Sequence, residues 1–171
     1  MQKLLVLSDK DIFPDSDVPE DISYEPRLAV KVIIFDEENK LALVGKTHRL
    51  LPGGGVEEGE GMEEALHREA LEEVGCAIKI EREIAVTEEF RAKNKRHQET
   101  HFFVAHSIGE KGSPQTSQED EQGMQVSWHT LADAIALLEK QVKEIPYDRY
   151  HACFNVRTHL AVLKALQNSS I

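Results

Sequence analysis

GGVEEGEGMEEALHREALEEVGC, residues 54–76, follows the turn Leu51-Pro52-Gly53 and decides how the rest of the chain is read. Its glycines suit a tight loop in which the backbone takes conformations closed to other residues and comes close to a ligand. Glu69, Glu72 and Glu73 then fall three and four apart, which places them together on one side of a helix. Three carboxylates so placed repel one another unless a positive group sits among them, and an oxygen-binding divalent cation answers that need. The stretch therefore predicts a loop, a helix and a metal site shared between them.

The spacing runs Gly54, five residues, Glu60, seven residues, then Arg68-Glu69-Ala70-Leu71-Glu72-Glu73-Val74-Gly75-Cys76. This resembles the Nudix box, G-x5-E-x7-R-E-U-x-E-E-x-G-U, where U is a bulky aliphatic residue. Every charged and glycine position is filled. Ala70 and Cys76 depart from the aliphatic positions, which concerns helix packing rather than chemistry. An acidic, solvated helix after a glycine loop would have to meet the fixed identities by accident.

Outward from this stretch, 171 residues with 40% hydrophobic and 30% charged content suit one globular domain with a real core. No apolar run reaches the roughly 18 residues that a membrane-spanning helix needs, and residues 4–7 are too short for a secretory leader, so a cytoplasmic protein is expected. Cys76 and Cys153 are too few for a disulfide framework and are expected as small core residues. A net charge of -11 argues against a general nucleic-acid surface. Polyphosphates remain accessible to so acidic a chain where metal ions and a local basic group supply positive charge.

Residues 4–7 read as a strand, and the polar, proline-bearing stretch to residue 26 as an irregular extension that could cover a sheet edge, support a homodimer or border the substrate. Residues 27–35, RLAVKVIIF, read as a buried strand, with residues 41–46 as its antiparallel partner. The helix is expected over residues 61–74, with Ala65, Leu66, Ala70, Leu71 and Val74 packing inward and Gly75 as its stop. In residues 77–90, Ile78, Ile80, Ile84, Val86 and Phe90 share a parity. Glu88 shares it too, so it points either to solvent through a bulge or into a cleft. Residues 91–97, RAKNKRH, form a basic turn before a returning strand to residue 108. Met124, Val126 and Trp128 alternate as a last strand, Thr130 caps a helix, and a final helix spans about residues 151–166.

The resemblance implies an α+β Nudix fold, a mixed sheet between helices, with residues 1–26 as an extension and 27–171 as the hydrolase domain. It also implies Mg2+, with Mn2+ as substitute, held by Glu69, Glu72, Glu73 and the Gly53 carbonyl, and Arg68 paired with Glu60 to orient the carboxylates. The reaction implied is hydrolysis of a nucleoside diphosphate linked to another group, which asks the protein to position reactants and neutralise charge. Glu72 is the first choice for general base and Glu121, on the acidic loop before Trp128, the reserve.

Lys46, His48 and Arg49, and separately Arg91, Lys93, Lys95 and Arg96, are candidate phosphate contacts. Phe90, Phe102, Phe103, Trp128, Tyr147 and Phe154 are available to stack on a leaving group or to fill the core. Members resembling ADP-ribose hydrolases carry a proline shortly beyond the box, and those acting on dinucleoside polyphosphates a tyrosine. This chain has no proline between Pro52 and Pro114 and no tyrosine between Tyr24 and Tyr147. A nucleoside triphosphate, oxidised or noncanonical nucleotides included, is the expected small-molecule substrate. A non-catalytic nucleotide sensor and an RNA 5′-end pyrophosphohydrolase are the rival readings. The first predicts losses among the three glutamates, and none is lost; the second wants a basic path that only the RAKNKR turn offers.

Overall fold

A computed structural model describes residues 3–115 and 123–168. Within them the order is β1 (Leu5–Ser8), α1 (Asp9–Ile12), β2 (Glu25–Phe35), β3 (Leu41–Gly45), α2 (Met62–Glu69), β4 (Ala77–Arg91), β5 (Arg96–Ile108), β6 (Gln125–His129), α3 (Leu131–Glu144) and α4 (Tyr150–Gln167). The six strands form one mixed sheet in the order β1-β4-β5-β2-β3-β6. β1 runs parallel to β4 and β2 parallel to β5, while the other neighbours are antiparallel. None of the described helices is long and apolar enough to cross a membrane.

Alternation along β2 builds a core on each face of this sheet. Val30, Val32 and Ile34 meet Ala65, Leu66, Ala70 and Val74 of the helix region on one face. Ile33, Phe102 and Val104 meet Leu138 of α3 and Phe154, Val156 and Leu163 of α4 on the other. Cys76 and Cys153 are buried free thiols. Thr130 caps α3, its hydroxyl accepting from the Asp133 N–H at 3.1 Å.

Four expectations need correction. The helix is α-helical only to Glu69 and continues over Ala70–Val74 as a wider π turn, ending at Gly75 with φ of 79°. Its inward face carries Glu69 and Glu73 beside the apolar residues, and Leu71, expected inside, is 40% exposed. The single parity of residues 77–90 is interrupted by register shifts between Ile80 and Arg82 and between Glu83 and Ala85, so Ile84 and Ala85 both enter the core beneath α4. The last strand begins at Gln125, leaving Met124 just outside it.

Candidate functional site

The loop after Leu51 lies along β2 and is tied to it by backbone hydrogen bonds. Val32 N donates to Pro52 O at 3.0 Å, Val30 N to Gly54 O at 2.9 Å, and Val56 N to Leu28 O at 3.1 Å. Such an approach needs glycine at two positions. Gly53 has φ of 128°, and a Cβ there would lie 2.2 Å from Val30 O; at Gly54 it would lie 2.3 Å from Glu69 Oε1. The loop is thereby pressed between β2 and the helix, where Gly53 N donates to Glu73 Oε2 at 2.7 Å.

Arg68 organises the remaining acids. Its Nε and Nη2 grip Glu60 at 2.8 and 3.0 Å, its Nη1 reaches Glu69 at 2.8 Å and Glu72 at 3.2 Å, and its Nη2 also donates to Gly55 O at 3.1 Å. A planar five-donor fork is suited to such a set. The pair with Arg68 holds the Glu60 carboxyl below its usual range. Glu69 moves the other way: burial pushes it up more than the neighbouring Arg68 pulls it down. Glu69 and Glu73 are 6% and 8% exposed, whereas the Glu72 side chain is 26% exposed and the most accessible of the three.

Two groups outside residues 54–76 complete the frame. Lys31 donates from Nζ to Leu51 O at 3.2 Å and to Gly53 O. His159, on α4 and 2% exposed, accepts the Leu51 N–H on Nδ1 at 3.1 Å. Burial, with Lys31 and Arg91 nearby, keeps His159 well below its usual pKa and therefore neutral. Leu51 is thus held at both its N–H and its carbonyl. A lone charge inside the apolar run RLAVKVIIF was the sequence signal for Lys31, whereas nothing local marks His159, which is 108 residues from Leu51.

Arg27 joins Gly53, Gly54, Gly55, Val56, Glu57, Arg68, Glu69 and Glu73 around a polar cavity of about 360 Å3. The other basic residues singled out in the sequence lie elsewhere. Arg49 donates to Gly45 O and, at 2.7 Å, to Gln125 Oε1. Lys46 and His48 line a separate cavity. Arg91 is not on the surface of its turn but 3% exposed, bound to Glu89 and Asn155, with its guanidinium 5.2 Å from the Phe154 ring centroid. Arg96 is its cross-strand partner and stays partly exposed. Glu88 pairs with Lys3 and, at 3.0 Å, with His97, away from the 360 Å3 cavity. Glu121 lies outside the described residues.

Among the described residues no three His, Cys, Asp or Glu side chains are gathered into a ready metal cage. Arg68 draws Glu69 and Glu72 toward itself while Glu73 turns to Gly53 N. The donor chemistry nevertheless fits a hard divalent cation: the largely buried Glu69 and Glu73 carboxylates line the cavity with Glu57 and the glycine loop, Glu72 is tied to the set through Arg68 although it does not line the cavity, and no sulfur or imidazole faces it.

A family model described as the NUDIX domain matches residues 25–151. Among solved structures, the chain resembles a MutT NUDIX hydrolase from Burkholderia pseudomallei, with 25% identity, TM-score 0.50, and coverage of 63% of this chain and 85% of the other. It also resembles the E. coli ORF135 protein, with 21% identity, TM-score 0.53 and coverage of 85% and 91%. A NUDIX hydrolase from Nitrosomonas europaea shows 21% identity, TM-score 0.53 and coverage of 78% and 89%. No curated protein matches.

Proposed function

We propose that this chain, which belongs to the Nudix family of pyrophosphate-bond hydrolases, is a magnesium-dependent enzyme cleaving a nucleoside diphosphate linked to another moiety. A nucleoside triphosphate, oxidised or noncanonical forms included, is the first substrate, split to monophosphate and pyrophosphate. The observation that carries this reading is the Arg68 network: one guanidinium holds Glu60, Glu69 and Glu72 beside a glycine loop that Glu73 secures by its bond to Gly53. Residues 27–171 are proposed as the catalytic unit and residues 1–26 as an accessory segment whose β1 extends the sheet.

In this reading Glu69, Glu72, Glu73 and the Gly53 carbonyl hold the ion, for which Mn2+ can substitute. A divalent cation held there would supply positive charge for phosphate oxygens and would lower the pKa of a water at the site. Glu72, the most accessible of the three carboxylates, accepts the proton of the attacking water. Arg68 fixes the direction of that carboxylate and Glu60 fixes Arg68, so both are positioning residues. Arg27 at the cavity rim and Arg96 beyond it meet the negative charge of the substrate.

The test is a panel of nucleoside triphosphates, dinucleotides, sugar nucleotides and 5′-triphosphorylated RNA, incubated with Mg2+, Mn2+ or EDTA and resolved by 31P NMR. Metal-dependent cleavage of a pyrophosphate bond is expected. Tight binding of one panel member with no cleavage of any would replace this reading with that of a nucleotide sensor.

A further inference from the structure

We propose that the cavity of about 480 Å3 between residues 46–50, the turn at Lys93 and the start of α4 is an anion subsite, taking a phosphate carried by the part of the substrate remote from the cleaved bond. The proposal rests on the pyrophosphohydrolase reading for its ligand and on the cavity itself for its chemistry. Among the described residues Lys46, His48, Lys93, Arg149 and His151 line it, with Asp148 as the one acid. In a chain of net charge -11 this local excess of basic groups is an electrostatic anomaly. Among the described residues Lys93 and Arg149 form no ion pair that would neutralise them.

The histidines sharpen the assignment. Arg91 Nη1 lies 3.1 Å from His151 Nδ1. Guanidinium can only donate, so Nδ1 accepts and the ring's proton sits on Nε2, a donor on the other side of the ring. Burial and the nearby Arg91, Arg96, Lys93 and Arg27 hold the His151 pKa below its ordinary value, which keeps this tautomer neutral. His48 Nε2 is a buried atom with no hydrogen-bond partner among the described residues. His151 Nε2 can therefore add a directed hydrogen bond to the field of Lys93 and Arg149.

A nucleobase is the rival occupant, and the aromatic lining disfavours it. Tyr150, the cavity's one Phe, Tyr or Trp ring, already stacks on Phe13 at 5.5 Å between centroids and carries the Lys93 ammonium 5.6 Å from its own. Its hydroxyl donates to Asp9 at 2.8 Å. The ring is a wall of the cavity and is not a free stacking platform. The cavity also adjoins the catalytic loop along the chain: Leu50 lines it, Leu51 is anchored by Lys31 and His159, and Gly53 lines the 360 Å3 cavity.

Inorganic phosphate in EDTA, titrated against the full chain and followed by 1H–15N NMR, is the probe. Saturable shifts centred on Lys93, Arg149 and His151 are expected. Affinity should fall at least fivefold in the double variant Lys93→Met/Arg149→Met and be unchanged in Glu73→Gln, with melting temperatures checking the fold of each. Absence of saturation, or shifts confined to residues 53–57, overturns the proposal. The hydrolysis panel separates the two readings: cleavage without saturation of this cavity sinks the subsite alone, and saturation without any cleavage upholds the subsite while the hydrolase reading fails.

Discussion

Glu73 Oε2 accepts a 2.7 Å hydrogen bond from the backbone N–H of Gly53, twenty residues away, and so joins the helix side of the site to the loop side beside the Arg68 bond to Gly55 O. Either half alone would lack geometry. Glu73→Gln retains an oxygen that can accept this bond and removes only the charge. The expected result is a melting temperature near that of the parent chain and a fall in kcat of about 100-fold or more, the scale seen when a charge-stabilising group is lost. Glu73→Ala also frees the loop and should cost a further stability of about 1–3 kcal/mol. Thermal melts set beside steady-state rates distinguish the two variants, and near-normal turnover in Glu73→Gln would refute the assignment.

Glu60 reports on pH. Its bidentate pair with Arg68 depresses its folded-state pKa below the ordinary 4.5. A depressed carboxylate stabilises the native state above its unfolded pKa, and that stabilisation is lost as pH falls through the folded value. Acid melts of Glu60→Gln should therefore run flatter below about pH 4.5 than those of the parent chain. Identical slopes for the two proteins would remove Glu60 from this role.

His159 has the opposite charge logic. Buried and neutral, with its pKa well below 6.5, it takes up a proton on unfolding once the solution is more acid than its unfolded value. Stability is then lost as pH drops below about 6.5. His159→Asn keeps an acceptor for Leu51 N and should abolish this part of the pH dependence. His159→Phe leaves that N–H unpaired and should cost about 1–3 kcal/mol, with a lower kcat because the loop is released. Melts from pH 5 to pH 8 and rates at pH 8 test both.

Arg91 and Arg96 face each other across the β4–β5 pair and should behave differently. Arg91→Ala strands the buried Glu89 carboxylate, which also accepts from Thr158 at 2.6 Å, and is expected to cost about 3–5 kcal/mol of stability. Arg96→Ala should leave the melting temperature almost unchanged and raise KM. A destabilised Arg96→Ala with normal KM would reverse the two roles.

Lys31 places an ammonium on the Gly53 carbonyl, close enough to Glu69 to offset, with Arg68, part of the upward push that burial gives that carboxyl. A positive charge there opposes a second one. Lys31→Met is expected to bind Mn2+ several-fold tighter by electron paramagnetic resonance, because a like-charge neighbour has been removed. Weaker binding would mean that Lys31 serves the ion by holding the loop.

The sequence by itself determined the reaction chemistry, because residues 54–76 are local. On one helix, spacing along the chain is spacing in space, so Arg68, Glu69 and Glu72 could be placed together before any fold was known. The strands followed from β-branched and alternating apolar runs, and α3 and α4 from helical spacing, whereas α1 lies in the stretch read as irregular. Only the tertiary structure decided which of the basic residues are buried and which stay exposed. Two register shifts in β4 and the docking of α4 turn Arg91 inward onto Glu89 and leave Arg96 outside, although both belong to the same basic turn. His159 meets Leu51, and His151 meets Arg91, across 108 and 60 residues. Such pairings depend on strand register and helix packing, which no short window of sequence encodes.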